Sequence, residues 1–167
     1  MLHTESELLH FLEAQGIAYQ RLEHPPVYTC EQAALYRPTL PGVSTKNLFL
    51  RDEKRRFYLV VTACEKRLDL KQLSRLISAP KLNLGSPEKL LELLGVTPGA
   101  VTTLGLINDM QHAVALWVDA DIWQGENFWC HPLVNTATLI IARADLLRFF
   151  ELTGHTPQVV HMPERSR

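Results

Sequence analysis

Two apolar, β-branched and aromatic segments, Thr45 to Arg51 and Phe57 to Ala63, flank one charged stretch, Asp-Glu-Lys-Arg-Arg at 52–56. Each segment has strand length, and the gap between them is too short for anything but a turn. The pair therefore predicts a β-hairpin, and with it antiparallel pairing in whatever sheet contains it. Around this hairpin, helix and strand signals alternate. Thr4 and Glu7 form a capping box ahead of Leu8 and Leu12, with Gly16 placed to end the helix. Residues 17–22 alternate as a half-buried strand does. Thr29 with Gln32 opens a short helix. Residues 37–42 hold two prolines and a glycine and read as a loop. Asp69 with Gln72 caps a helix carrying Leu70, Leu73, Leu76 and Ile77. Ser86, Pro87 and Gly95 bracket another. Strands are expected over 114–118 and 136–141, and a last helix over 145–152 ending at Gly154. About six strands and five helices result from these signals. The fold class is α/β of the α+β type, with a mixed, largely antiparallel curved sheet surrounded by helices.

The 167 residues fit one domain, with a core over about 4–160 and a frayed tail at 161–167. No apolar run reaches membrane-spanning length, and no basic segment followed by an apolar one opens the chain. A cytoplasmic protein with no membrane partner is expected. Cys30, Cys64 and Cys130 are an odd, sparse set, which argues against a disulfide framework. No Cys-x-x-Cys or His-Glu-x-x-His stands in the chain, so no metal is implied. A net charge of −1 is unlike a protein that coats long nucleic acid. DNA is not an expected partner, and an RNA partner would be touched over a small region. Lys54-Arg55-Arg56 and Lys66-Arg67 are local basic groups, read either as solvated loop charges or as RNA contacts.

Few residues point to chemistry on their own. Lys46 shares a strand face with Leu48 and Leu50. A lysine there either lines a cleft or snorkels from the strand end. The segment 95–105 carries Gly95, Pro98, Gly99 and Gly105; its backbone N–H groups can face a ligand, or it is a plain helix cap and turn. Cys130 and His131 are chain neighbours that point to opposite faces of an extended segment, so they cannot form a dyad with each other. His131 is open to two readings, a substrate-orienting group or a structural histidine. Asn108 and Asp109 read as a turn, and Asp119 and Asp121 as strand-end and helix-cap residues. No Gly-x-Ser-x-Gly elbow is present, so covalent hydrolase machinery is missing.

Several segments together carry a resemblance. They are Glu-His-Pro-Pro-Val-Tyr-Thr at 23–29, Thr-Lys-Asn-Leu-Phe-Leu-Arg-Asp at 45–52, the run 94–102 through Gly95 and Gly99, Asn108-Asp109, and His-Pro-Leu-Val-Asn-Thr-Ala-Thr at 131–138. In order and spacing they resemble the prolyl-tRNA editing family, relatives of the insertion domain of bacterial prolyl-tRNA synthetase and of the YbaK proteins. The set is most similar to the free-standing alanine-specific branch.

That resemblance implies a deacylase that hydrolyses alanine from mischarged proline tRNA. Synthetases need such help because a missing methylene or two gives only about 1–3 kcal/mol of discrimination. It implies that Lys46 holds the terminal adenosine and positions the ester. Gly95, Pro98 and Gly99 belong to the loop whose N–H groups steady the developing oxyanion. Asn47, Thr62, Val96, Thr97, Thr103, His131 and Asn135 are the implied substrate-binding positions. Water attacks, assisted by the ribose hydroxyl, and no cofactor takes part. The acceptor end of proline tRNA is the implied partner, with prolyl-tRNA synthetase as a further one. Thr103 and the Trp129-Cys130 pair depart from the family pattern near the pocket and bear on its size preference. A cysteine-specific deacylase is the alternative within the family. A non-catalytic tRNA- or synthetase-binding module is the alternative outside it, and a free-amino-acid binder is a third.

Overall fold

A computed structural model describes residues 2–36 and 42–166. The loop expected at 37–42 falls, apart from Gly42, outside the described residues. Among the described residues the elements run α1 (Glu5–Ala14), β1 (Gln20–Glu23), α2 (Cys30–Ala34), β2 (Thr45–Arg51), β3 (Phe57–Ala63) and α3 (Leu70–Leu76). They continue as β4 (Asn83–Leu84), α4 (Pro87–Leu94), β5 (Val114–Asp119), α5 (Ala120–Trp123), β6 (Asn127–Cys130), β7 (Ala137–Ala142), α6 (Arg143–Thr153) and β8 (Gln158–Val160). Two 3-10 turns, Pro98–Ala100 and Thr103–Asn108, lie between α4 and β5.

The mixed α/β class holds, with the strands divided between two sheets. One is a three-stranded antiparallel sheet in the order β1-β7-β6. The other has five strands in the order β4-β2-β3-β5-β8. The expected hairpin forms as β2 and β3, paired from Thr45↔Ala63 to Arg51↔Phe57. The β3–β5 and β5–β8 pairs are parallel. One face of the five-stranded sheet carries Phe49, Leu59, Val61 and Leu116 into a large core shared with β6, β7 and the helices α1, α4 and α6. Leu50, Tyr58 and Val60 on the other face pack against Leu73 of α3, its C-cap residue Ile77, and Met162. Burial on both faces explains why β3 reads as a continuous apolar run rather than an alternating one.

Local signals set the helix ends. Thr4, Thr29, Asp69 and Ser86 each accept a backbone N–H at an N-cap, and Gly95 and Gly154 close α4 and α6 in the left-handed region. Four expectations need correction. The strand expected at 17–22 is Gln20–Glu23; Ile17 instead closes α1, its amide donating to the Leu12 carbonyl. The short strands β4, β6 and β8 were not legible. The tail is not frayed but held through Arg165: Met162 is buried, Asp69 donates to the Pro163 carbonyl, Glu164 bridges Leu68, and the Arg165 amide donates to the Arg67 carbonyl. Finally, Cys30 and Cys64 form a disulfide, leaving Cys130 free and buried.

A buried ionic cluster ties the tail down. Lys66 Nζ lies 2.8 Å from Asp119 Oδ2 and from Asp121 Oδ2, and it donates to the Met162 carbonyl at 2.9 Å. Burial alone would raise the Asp119 carboxyl. Hydrogen bonds from Lys66, Thr62 and two backbone amides outweigh it and hold the group below the usual range. Burial would likewise lower Lys66, but the bonds to Asp119 and Asp121 hold it above its ordinary value.

Candidate functional site

At the start of β2 the sheet edge opens into a cleft of about 160 Å³. Thr45, Lys46 and Asn47 supply one wall. Pro98 and Gly99 of the first 3-10 turn, with Val101, supply another. Trp129, Cys130 and His131 come from the end of β6, and Thr138 from β7. The segment of Val27 to Ala33, with Tyr36, closes the remaining side. Lys46 is thus in the position its place in the strand allowed: it follows the apolar row of Leu48 and Leu50 to the strand end, where the row meets the cleft.

The loop contributes less than its sequence suggested. Gly95 is the left-handed C-cap of α4 (φ +71°), packed against the Asn108 side chain, and is not among the cleft residues. Val96 is buried in the main core, and Thr97 caps the 3-10 turn, accepting the Ala100 amide through its carbonyl. Pro98 has no N–H to give. The loop residues that line the cleft and carry an N–H are Gly99 and Val101. A Cβ at Gly99 would meet the Tyr28 ring at 3.0 Å and Asn135 Nδ2 at 3.3 Å, so a glycine keeps this wall close-fitting.

Three more of the expected binding residues lie outside the cleft lining. Thr62, opposite Lys46 across the hairpin, is fully buried and donates to Asp119 Oδ2 at 2.6 Å. It serves the ionic cluster, because β3 lies between β2 and β5 and Thr62, one residue beyond the Val61↔Val118 pair, falls beside Asp119. Thr103 is buried behind the cleft floor, its hydroxyl 4.0 Å from Cys130 Sγ. Asn135 sits just behind the wall, donating to the Val27 carbonyl at 3.1 Å while its own carbonyl accepts the Val27 amide. It fixes the segment that carries Tyr28.

Asn47 and His131 do line the cleft. The Asn47 Oδ1 atom is buried and has no hydrogen-bond partner among the described residues. An unmet buried acceptor costs about 1–3 kcal/mol, which a ligand donor would recover. His131 Nδ1 lies 3.1 Å from the Ala137 carbonyl. Burial holds the imidazole below its ordinary range, against the opposing effect of that bond. Cys130 is pushed up to about 12 by burial, so its thiol is neither ionised nor nucleophilic.

Sequence reasoning missed Val27, Tyr28, Cys30, Tyr36, Cys64 and Thr138 in the cleft. Tyr28 and Thr138 lie in segments whose order looked distinctive, but no rule of spacing gave them a role. Of the basic groups, Lys66 is the buried core of the ionic cluster and Arg56 binds Asp52 at 2.7 Å. Arg55 borders a second groove with Arg51, Lys89, Phe57 and Leu84, at the opposite end of the hairpin. No described helix is long and apolar enough to cross a membrane.

Known proteins resemble this chain in sequence and in fold. Prolyl-tRNA synthetase associated domain-containing protein 1 of Danio rerio is 43% identical over 156 residues, covering 92% of this chain and 85% of the relative. Prolyl-tRNA editing protein ProX of Acetoanaerobium sticklandii is 34% identical, with 90% and 93% covered. A crystal structure described as a candidate trans-editing enzyme for prolyl tRNA synthetase superposes with a TM-score of 0.73 at 25% identity, covering 99% of this chain and 100% of that one. The sequence profile described as the aminoacyl-tRNA editing domain matches residues 24–149, which include every cleft residue and all of the strands but β1 and β8. The chain therefore belongs to the aminoacyl-tRNA editing domain family.

Proposed function

We propose that this protein is a trans-acting hydrolase that removes alanine from mischarged proline tRNA, with the cleft at the start of β2 as its active site and the whole chain acting as one editing unit. The observation that carries this reading is the convergence of Lys46 and Gly99 on one cleft whose free thiol, Cys130, is buried and held in its neutral form. The terminal adenosine enters beside β2, where the Lys46 ammonium grips its phosphate or ester oxygen. A ribose hydroxyl donates to the unmet Asn47 Oδ1. The Gly99 N–H meets the ester carbonyl and stabilises the oxyanion as water adds to the carbonyl carbon. The tetrahedral intermediate then expels the ribose oxygen, which takes up a proton originating from that water. Alanine leaves as the free acid.

The relatives' names support proline tRNA as the substrate and prolyl-tRNA synthetase as the associated enzyme. The groove bordered by Arg51, Arg55 and Lys89 suits phosphates of the acceptor stem. Arg51 lies five residues beyond Lys46 in an extended strand, about 17 Å away. That reach suits the unpaired acceptor end.

A deacylation panel tests the reading. Proline tRNA charged with alanine, cysteine, serine or proline is offered to the purified protein. Rapid loss of alanine with retention of proline is expected. Preferential loss of cysteine would transfer the assignment to a cysteine editor, and hydrolysis of none would leave a binding module.

A further inference from the structure

The cleft holds two acceptors whose proton positions the surrounding structure fixes. A carbonyl oxygen can only accept, so His131 Nδ1, facing the Ala137 carbonyl, carries the ring proton. Nε2 is then a lone pair in a residue that lines the cleft. The same argument applies one layer back. His24 is buried, with Nδ1 2.9 Å from the Pro25 carbonyl and Nε2 2.8 Å from Thr138 Oγ1. In the neutral ring Nδ1 therefore holds the proton, and Nε2 takes the Thr138 hydroxyl hydrogen. That leaves the Thr138 oxygen with its lone pairs for the cleft it lines.

The two acceptors are neighbours. Cys130↔Leu139 is a register pair of β6 and β7, and the next pair would join His131 to Thr138. Side chains in that relation stand about 5 Å apart. The His24 ring is held in place, stacked on Tyr36 at 5.7 Å and edge-on to His131 at 6.4 Å.

We infer that Thr138 and His131 form a neutral acceptor pair for the α-ammonium of the aminoacyl ester, with His24 as the positioning residue that aims the Thr138 hydroxyl. The substrate class is thereby narrowed to aminoacyl esters with a free amino group. An ammonium brings donors and no acceptor. N-acylation removes the charge, leaves one N–H and adds a carbonyl oxygen, which would face lone pairs without a donor between them. Peptidyl and N-blocked esters are therefore rejected. This inference rests on the proposed site but not on its hydrolytic step.

The test is a calorimetric titration of the full chain with alanyl-3′-amino-3′-deoxyadenosine, an amide-linked probe that is not hydrolysed, and with its N-acetyl derivative. The wild type is expected to prefer the free-amino probe by at least about 30-fold. Thr138→Val should weaken the free-amino probe by about 10-fold and the acetylated one by less than about 2-fold, with Thr138→Ser restoring the preference. His24→Phe keeps the ring stack, removes the acceptor, and should reduce the preference as Thr138→Val does. Equal affinity of the wild type for both probes overturns the inference, as does binding of neither, or a preference unchanged in both Thr138→Val and His24→Phe. Preferential binding without hydrolysis of alanyl-tRNA would leave this inference standing and remove the hydrolase reading instead.

Discussion

Cys30 and Cys64, 34 residues apart in the chain, are bonded with their Cα atoms 5.9 Å apart, and both line the cleft. Cys30 is the first residue of α2, which has five residues, none of them buried. Such a helix cannot hold itself in place. What fixes it is the Thr29 cap, the Tyr36 stack on His24, and the bond to the end of β3. Reduction, or the Cys30→Ser/Cys64→Ser pair, should lower stability by about 3–4 kcal/mol for a loop of this length. It should also raise KM more than it lowers kcat. Denaturant unfolding with and without reductant, beside steady-state deacylation, reads both effects; identical midpoints would refute the anchoring role.

Lys46→Ala removes the one ammonium assigned to the reacting ester. A charge-assisted hydrogen bond of this kind supports a loss of about 10- to 100-fold in kcat/KM. Thermal unfolding should change little, because Lys46 lies at the edge of the apolar row and makes no part of either core cluster. Deacylation of alanyl-tRNA by the variant at the wild-type rate would remove Lys46 from the site.

Thr62 and Lys66 separate structure from catalysis. Lys66→Met leaves Asp119 buried without its cation, which should cost about 3–5 kcal/mol. Thr62→Val deletes the 2.6 Å bond to Asp119 and should cost about 1–2 kcal/mol. The deacylation rate per folded Thr62→Val molecule should equal the wild type's. A selective rise in KM in that variant would return Thr62 to the substrate.

Asp52 sets an acid limit. Burial would raise its carboxyl, but the Arg56 amide, the Tyr58 hydroxyl and the Arg56 guanidinium outweigh it and hold it at about 2, against an ordinary 3.8. A depressed carboxyl stabilises the fold fully above its unfolded value and ceases to do so as pH falls from about 4 through about 2. The shift corresponds to at most about 2 kcal/mol. Asp52→Asn should remove that part of the acid dependence, measured as unfolding midpoints between pH 2 and 6; an unaltered slope would contradict the assignment.

The β2–β3 hairpin, the helix caps and the position of Lys46 at the head of a strand row are legible in the linear chain. These depend on periodicity and on groups a few residues apart, which a linear reading can see. The linear chain also carried the family, through the order of segments from His24 to Thr138. Which residues of 95–103 reach the cleft depends on how the folded chain packs. Gly95 and Thr103 look alike in kind to Gly99 and Thr138, but a helix end took one into a cap and the core took the other. The cysteine pair was invisible for a related reason, since its closeness comes from the path of α2 against the end of β3. The proton positions on His24 and His131 came last, because they follow from carbonyls that only the folded chain brings within hydrogen-bonding distance.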